Sequence, residues 1–320
     1  MQPALTGLLC RVRQVAPWLV AAALIAYLLL RIPRHQLMTA LLQAHLGYLG
    51  LVVLFVVFGS LIADSWATAR VFTWFLTPVR LRELLPVRAS TYLMAILNYH
   101  LGQAGLVYYV HRQHGVSIAA ATSMMLMAMG TVLLVLGGMS VVGVVLHPDQ
   151  HTWQLRWVLA GLGASTLVYL AIIWRRPRWL TRRPLLAPLF TAGVAGHLKA
   201  TLIRVPHMLV VVSTHFFAMR CFEIPVPLSQ GLVHIPIMLL VATLPLTPFG
   251  LGTSQLAAVH LFSRYLPPPL QAARARVLAY SLSLVTLAVL TQTVLGLLCL
   301  QTSLRGLYAE AKDAGEQDQT

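Results

Sequence analysis

An all-α integral membrane protein, a polytopic helical bundle, is the fold class this sequence predicts, and three observations predict it. Hydrophobic residues make up 58% of the 320 positions and charged residues only 10%, where a soluble domain carries about 25%. So few charges cannot cover a soluble surface. The apolar residues also gather into runs near the roughly 20 residues that a membrane-spanning helix needs. Finally, the net charge of +15 comes almost wholly from arginines placed between those runs, since only Lys199 and Lys312 are lysines. That spacing follows the positive-inside rule. It favours anionic lipid headgroups beside the cytoplasmic leaflet and argues against nucleic acid as a partner.

The predicted fold has about six full spans. In order they are Pro17–Ile32, Leu46–Asp64, Ser117–Leu146, Trp153–Trp174, Arg204–Cys221 and Arg276–Leu300. Arg11 and Arg13 precede the first run, and no small-x-small cleavage site follows it, so this run reads as an uncleaved anchor. Trp18, Trp66, Trp153 and Trp174 mark interfaces. Glu310, Asp313, Glu316 and Asp318 lie in residues 306–320, which read as a disordered, solvated acidic tail. Cys10, Cys221 and Cys299 share no metal-binding or redox spacing.

Two regions, Arg88–Arg112 and Leu228–Arg264, are apolar at both ends and polar in the centre. An unpaired backbone amide in hydrocarbon costs several kcal/mol, so a broken helix survives there only inside protein or beside a cavity. Each region is therefore expected to be a re-entrant helical hairpin. Their centres, Leu101-Gly102 and Leu251-Gly252, stand 150 positions apart. The same offset superimposes several of the spans. This layout predicts two repeat halves, residues 1–150 and 151–305.

Arginine counts set the handedness. Arg70, Arg80, Arg82 and Arg88 precede the first hairpin, and Arg175, Arg176, Arg178, Arg182 and Arg183 follow the fourth span. Both groups are expected to be cytoplasmic, and "HPDQHTWQLR" to be outside. The halves then have opposite orientations, an inverted repeat of the kind transporters use, with both termini cytoplasmic. Arg264, Arg274 and Arg276 fall on the outside in this scheme, against the charge rule.

The candidate ligand-binding residues sit at the two centres. Asn98, His100 and Gln103 form the first polar group; Gly250, Gly252, Thr253, Ser254 and Gln255 form the second, and His234 lies embedded in the run before it. Polar groups in lipid are costly and face a bundle interior or cavity. The glycines permit a break, and Thr253 or Ser254 can cap the helix that follows. A helix start attracts anions. The alternatives for these residues are a hydrogen-bond network holding the hairpins together, or close packing through glycine. His207, His215, His234 and His260 show no metal-ligand spacing, so neither a metal nor another cofactor is expected. Arg220 and Glu223, three apart at a span end, read as an interfacial ion pair. Arg204 reads as a residue that touches headgroups or snorkels.

The element Pro248-Phe249-Gly250-Leu251-Gly252-Thr253-Ser254-Gln255, after an apolar run ending in Leu-Pro, resembles the lysylphosphatidylglycerol synthase transmembrane family of flippase-like proteins. Members typically carry Pro-Gly-Gly-Leu-Gly-x-x-Glu there. The second half resembles the family well, and "LNYHLGQAGLVYYVHRQHGVSIAAATSMM" resembles it loosely. The resemblance implies a helical bundle with two re-entrant hairpins. It also implies translocation of a phospholipid or lipid-linked intermediate between leaflets of a cell membrane, such as a bacterial inner membrane. Some members carry an additional soluble aminoacyl-transfer domain; with only a short tail after its last span, this chain is expected to lack that synthase activity. The chain departs from the family at Gln103 and Gln255, where members carry glutamate. Those neutral apices point to an anionic or neutral lipid, held by helix ends and amides. The alternative is a non-catalytic scaffold that assists a lipid or glycan biosynthetic enzyme. A membrane enzyme is not expected, because the acids Asp64, Glu83, Asp149 and Glu223 are scattered and form no motif.

Overall fold

The computed structural model describes the backbone of residues 2–146, 155–243, 247 and 250–317, and side chains between 16 and 303 within that range except 97 and 155. Among the described residues the chain is all-helical. The helices are α1 (Gln2–Arg31), α2 (Arg34–Gln43), α3 (Leu46–Phe75), α4 (Leu81–Leu97), α5 (Tyr99–His114), α6 (Ile118–Leu146), α7 (Leu155–Arg175), α8 (Arg178–Thr181), α9 (Ala187–Cys221), α10 (Leu228–Thr243), α11 (Thr253–Phe262) and α12 (Leu270–Gln317). Most of the expected outer loop, and Pro245 and Pro248, lie outside the described residues.

Five helices are each long and apolar enough to cross a membrane: α3, α6, Arg156–Arg175 of α7, α9, and Leu270–Ser303 of α12. The first expected span meets that standard only together with α2, to which Ala16–Arg31 is bent by 94°. Pro33 stands at the bend and cannot continue α1. α2 was not expected at all. Its sequence, with His35, Gln36 and Gln43 among apolar residues, carries little span character.

Two spans are longer than composition suggested. α3 continues 11 residues beyond Asp64, and α9 begins 17 residues before Arg204, with a break in helical geometry at Gly193 (φ 62°). Asp64 and Arg204 had been the natural places to end and start a span. Both instead lie inside their helices, for a reason that the site below supplies. At the C-terminus, α12 runs to Gln317, through most of the segment expected to be disordered. Ala309, Glu310, Ala311 and Lys312 are strong helix formers.

α3 and α9 form the centre of the bundle and run antiparallel along their length. Gly59 faces Val210, Asp64 meets Arg204, and Phe75 packs on Gly196. α6 and α10 are also antiparallel, with Gly143 against Val233 at one end and Leu136 in one cluster with Leu239 and Leu240 further along. α4 lies on α12, where Gly296 admits Leu93 and the Ala89 carbonyl.

The two larger apolar cores both include α3 and α9. One joins Leu49, Val53 and Val57 of α3 to Val212 and Met219 of α9, and to Phe262 and Tyr280. The other joins Ala69, Val71 and Phe72 of α3 to Phe190 and Ala200 of α9, with Leu84, Leu106 and Met124. Asp64 and Arg204 fall between them on both helices.

α4 and α5 fold back on each other at Asn98. A Cβ on Gly102 would stand 2.7 Å from Ala95 Cβ, and one on Gly105 would stand 2.9 Å from Met94 Sδ. α10 and α11 also pack on each other across a break. There Gly250 and Gly252 take positive φ values of 66° and 85°, which L side chains avoid.

The start of α11 is held against α1. A Cβ on Gly252 would lie 2.7 Å from Leu24 Cβ and 3.1 Å from the Ala21 carbonyl, whereas one on Gly138 of α6 would meet nothing within 4 Å. Gly252→Ala is therefore expected to lower stability by about 1–3 kcal/mol, and Gly138→Ala to leave it unchanged or raise it by up to about 1 kcal/mol. Thermal unfolding of the detergent-solubilised protein measures both.

Candidate functional site

A buried cluster of charges forms where five helices converge. Ser60, Asp64 and Thr68 stand four apart on α3 and so share one face. Arg204 of α9 reaches that face with only 2% exposure. Its Nη1 donates to Asp64 Oδ1, its Nη2 to Thr68 Oγ1 at 3.3 Å, and its Nε to Thr131 Oγ1 of α6 at 3.4 Å. Arg88 of α4 approaches the other carboxylate oxygen, with Nη2 2.5 Å from Asp64 Oδ2. Arg88 Nη1 donates to Gln103 Oε1 of α5 at 2.9 Å. His207 Nδ1 lies 3.4 Å from Arg204 Nη1. The same nitrogen lies 3.8 Å from Asp64 Oδ1, so the imidazole sits against both members of the ion pair.

Two guanidiniums thus share one carboxylate, leaving one positive charge over. A buried charge without a partner is costly. Arg88 Nε is buried and has no hydrogen-bond partner. An oxyanion placed at this atom would gain a charge-assisted bond and neutralise the surplus.

Of the candidate ligand-binding residues taken from sequence, only Gln103 belongs to this cluster. Asn98 has its side chain turned onto its own helix: Oδ1 accepts from the His100 amide at 2.8 Å and caps α5. His100 is exposed. Gly250, Gly252, Thr253, Ser254 and Gln255 do come together, in one tight turn. The helix start there is closed, not free. Gly252 N–H donates to Gln255 Oε1 at 2.6 Å, so the side chain three residues on caps the helix. The Thr253 and Ser254 hydroxyls donate back to the Gly250 carbonyl at 2.9 and 2.8 Å instead of capping amides. Gln255 is fully buried, and its Nε2 has no partner. Among the described residues no hydrogen bond joins this turn to the Asn98–Gln103 apex.

His234 lies apart from both. It is fully buried, and its Nε2 accepts from Arg264 Nη2 at 2.5 Å. The proton is thereby on Nδ1, which donates to the Gln230 carbonyl at 2.9 Å. Tyr265 packs on the same ring, and its hydroxyl donates to Gln230 Oε1 at 3.3 Å. Arg264 itself is exposed and reaches this buried imidazole through its guanidinium. Nor do Arg220 and Glu223 pair: Arg276 Nη1 donates to Glu223 Oε2 and its Nη2 to Gln43 Oε1, both at 3.1 Å, while Arg220 donates to the Val226 carbonyl.

Asp64, Arg88, Arg204 and His207 were not anticipated as a site. From sequence, Asp64 reads as a span end, Arg88 as a topology marker, and Arg204 as a residue that touches headgroups or snorkels. A usable signal was present: a lone acid within an apolar run must find a cation, and Arg204 opens another apolar run. Among the described residues no three His, Cys, Asp or Glu side chains stand close enough to hold a metal ion. No protein-family model matches the chain, and no curated protein matches it.

The surplus charge makes the cluster asymmetric to substitution. Asp64→Asn leaves two buried cations unopposed and is expected to cost about 3–5 kcal/mol of stability. Arg204→Gln leaves a neutral Asp64–Arg88 pair and is expected to cost less. Chemical or thermal unfolding in detergent ranks the two, and the reverse order would exclude a net-positive site.

Proposed function

We propose that this chain is a membrane translocator that moves an anionic phospholipid or lipid-linked intermediate between leaflets. The observation that carries this reading is the surplus positive charge at Arg88 and Arg204, inside helices that are otherwise apolar. Free arginine capacity within a bundle suits a phosphate that must leave its headgroup layer. Transport is favoured over enzymic chemistry because the buried carboxylate is held by two guanidiniums and is not free to act as a base. The resemblance to flippase-like proteins at Pro248–Gln255 leads to the same reading.

The reading includes an inverted repeat with α4–α5 and α10–α11 as re-entrant hairpins. Three observations support it. α4, α5 and α6 start 147, 154 and 152 positions before α10, α11 and α12 (81 to 228, 99 to 253, 118 to 270). Exchanging α3, α4, α5 and α6 for α9, α10, α11 and α12 turns the packed pairs α4–α12, α3–α12, α3–α4 and α5–α6 into α6–α10, α6–α9, α9–α10 and α11–α12, all of which also pack. The related helices α3 and α9 are antiparallel, as a two-fold axis in the membrane plane requires. Cytoplasmic termini and a bacterial inner membrane complete the proposal, on the arginine distribution.

Proteoliposomes carrying a fluorescent phosphatidylglycerol test it. The wild type is expected to exchange this lipid between leaflets faster than empty vesicles do, and faster than it exchanges fluorescent phosphatidylcholine. Arg88→Gln is expected to slow the exchange about tenfold to a hundredfold, the range for losing one charge-assisted hydrogen bond. A wild type no faster than empty vesicles would overturn the proposal.

A further inference from the structure

A cavity of about 400 Å³ opens between α6, α9 and α10, within the range of about 300–1,000 Å³ typical of ligand pockets. Its walls are almost wholly apolar. On α6 it runs from Leu134 through Gly138 and Val142 to Leu146, 13 residues spanning roughly 18 Å at the helical rise. That is about the depth of one leaflet, half of a hydrocarbon core roughly 30 Å thick.

One end of this groove adjoins the charge cluster. Thr201 and Val205 of α9 line it, and they flank Arg204 in sequence. Leu134 and Val135 of α6 lie one turn beyond Thr131, which accepts from Arg204 Nε. The other end is at Leu146 and Leu232, where α6 finishes and α10 begins. α7 does not fill the groove. It packs against the neighbouring face of α6, where Leu162 lies 2.5 Å from the Cβ position of Gly137, while Gly138 faces open space.

We infer that this groove seats one hydrocarbon chain of the lipid whose anionic headgroup is bound at Arg88 and Arg204. The inference rests on the proposed function for the headgroup. It adds where the tail lies and which side of the bundle the lipid enters. Charge complementarity fixes the occupant. A chain lying in the groove has its polar end about one helical turn from Arg204, on the side of the cationic cluster, which a second protein copy offering apolar helices would not satisfy. Gly138 is the determinant: any side chain there occupies the seat without touching the surrounding protein first.

Photoaffinity labelling in liposomes tests this. Phosphatidylglycerol and phosphatidylcholine, each with a diazirine in one acyl chain, are irradiated with the full-length protein, and the labelled peptides are mapped. Phosphatidylglycerol is expected to label residues 134–146 of α6 or 201–205 of α9 at least about tenfold more than phosphatidylcholine does. Gly138→Leu is expected to abolish that excess with unfolding behaviour unchanged, and Arg204→Gln to make the two lipids equal. Equal labelling by both lipids in the wild type would overturn the inference, by reducing the groove to a site for any surrounding lipid. So would undiminished labelling in Gly138→Leu, or a dimer that Gly138→Leu dissolves. Groove labelling without leaflet exchange would leave the seat standing and remove only the translocator reading.

Discussion

The bundle depends on one carboxylate held between two arginines. Asp64 of α3, Arg204 of α9 and Arg88 of α4 would each be prohibitive alone in hydrocarbon, and together they permit one another. The cluster also sets the register of the central pair. On either side α3 and α9 meet through apolar residues, Val57 and Val212 sharing one core and Phe72 and Ala200 the other. Such contacts discriminate poorly between registers, because one aliphatic contact resembles the next. The carboxylate and guanidinium do discriminate, since a slip of one turn would leave both without partners. Thr68 and Thr131 add hydrogen bonds that fix the guanidinium plane.

Glutamine serves the two broken regions differently. At Gln255 the amide oxygen closes the helix start and does what a carboxylate would do there, without introducing a charge into a fully buried position. At Gln103 the amide oxygen accepts from Arg88 and neutralises nothing. A carboxylate at 103 would cancel the surplus charge that Asp64 leaves on the two arginines. The neutral side chain therefore keeps the cluster cationic. The two positions look equivalent in sequence, yet one closes a turn and the other sets the charge of a site.

Helical class and most span locations were legible because composition and run length respond to the membrane directly. That each polar region holds a helix break was legible for the same reason, since polar and glycine residues have few other uses within an apolar run. The second break falls at Gly252 as expected, but the first falls at Asn98, and its expected centre Leu101-Gly102 lies inside α5. What could not be read was the partnership of charges far apart in the chain. Asp64 and Arg204 are 140 positions apart, and each alone obeys the rule that a charge ends a span. Only their pairing makes both interior, which is why α3 outran its expected end and α9 its expected start. Glu223 shows the same limit at the surface. Its near neighbour Arg220 was the economical choice of partner, but the fold brings Arg276 to it instead.

The proposed repeat sharpens the meaning of the charge cluster. If the halves arose as equivalents, their packing stayed close to symmetric while their chemistry diverged. At an offset of 150, Asp64 corresponds to Thr214, Arg88 to Met238 and Arg204 to Leu54, so no charge of the cluster has a charged counterpart. The groove proposed to seat a hydrocarbon chain runs along α6, α9 and α10, close to Arg204 at Thr201 and Val205. A symmetric scaffold carrying a one-sided site offers a lipid unequal surroundings in the two leaflets. Such inequality is what a translocator needs if it is to favour one leaflet over the other, given a source of free energy. Within this architecture the bias would reside in α6, α9 and α10, and not in the two hairpin turns that first draw the eye in the sequence.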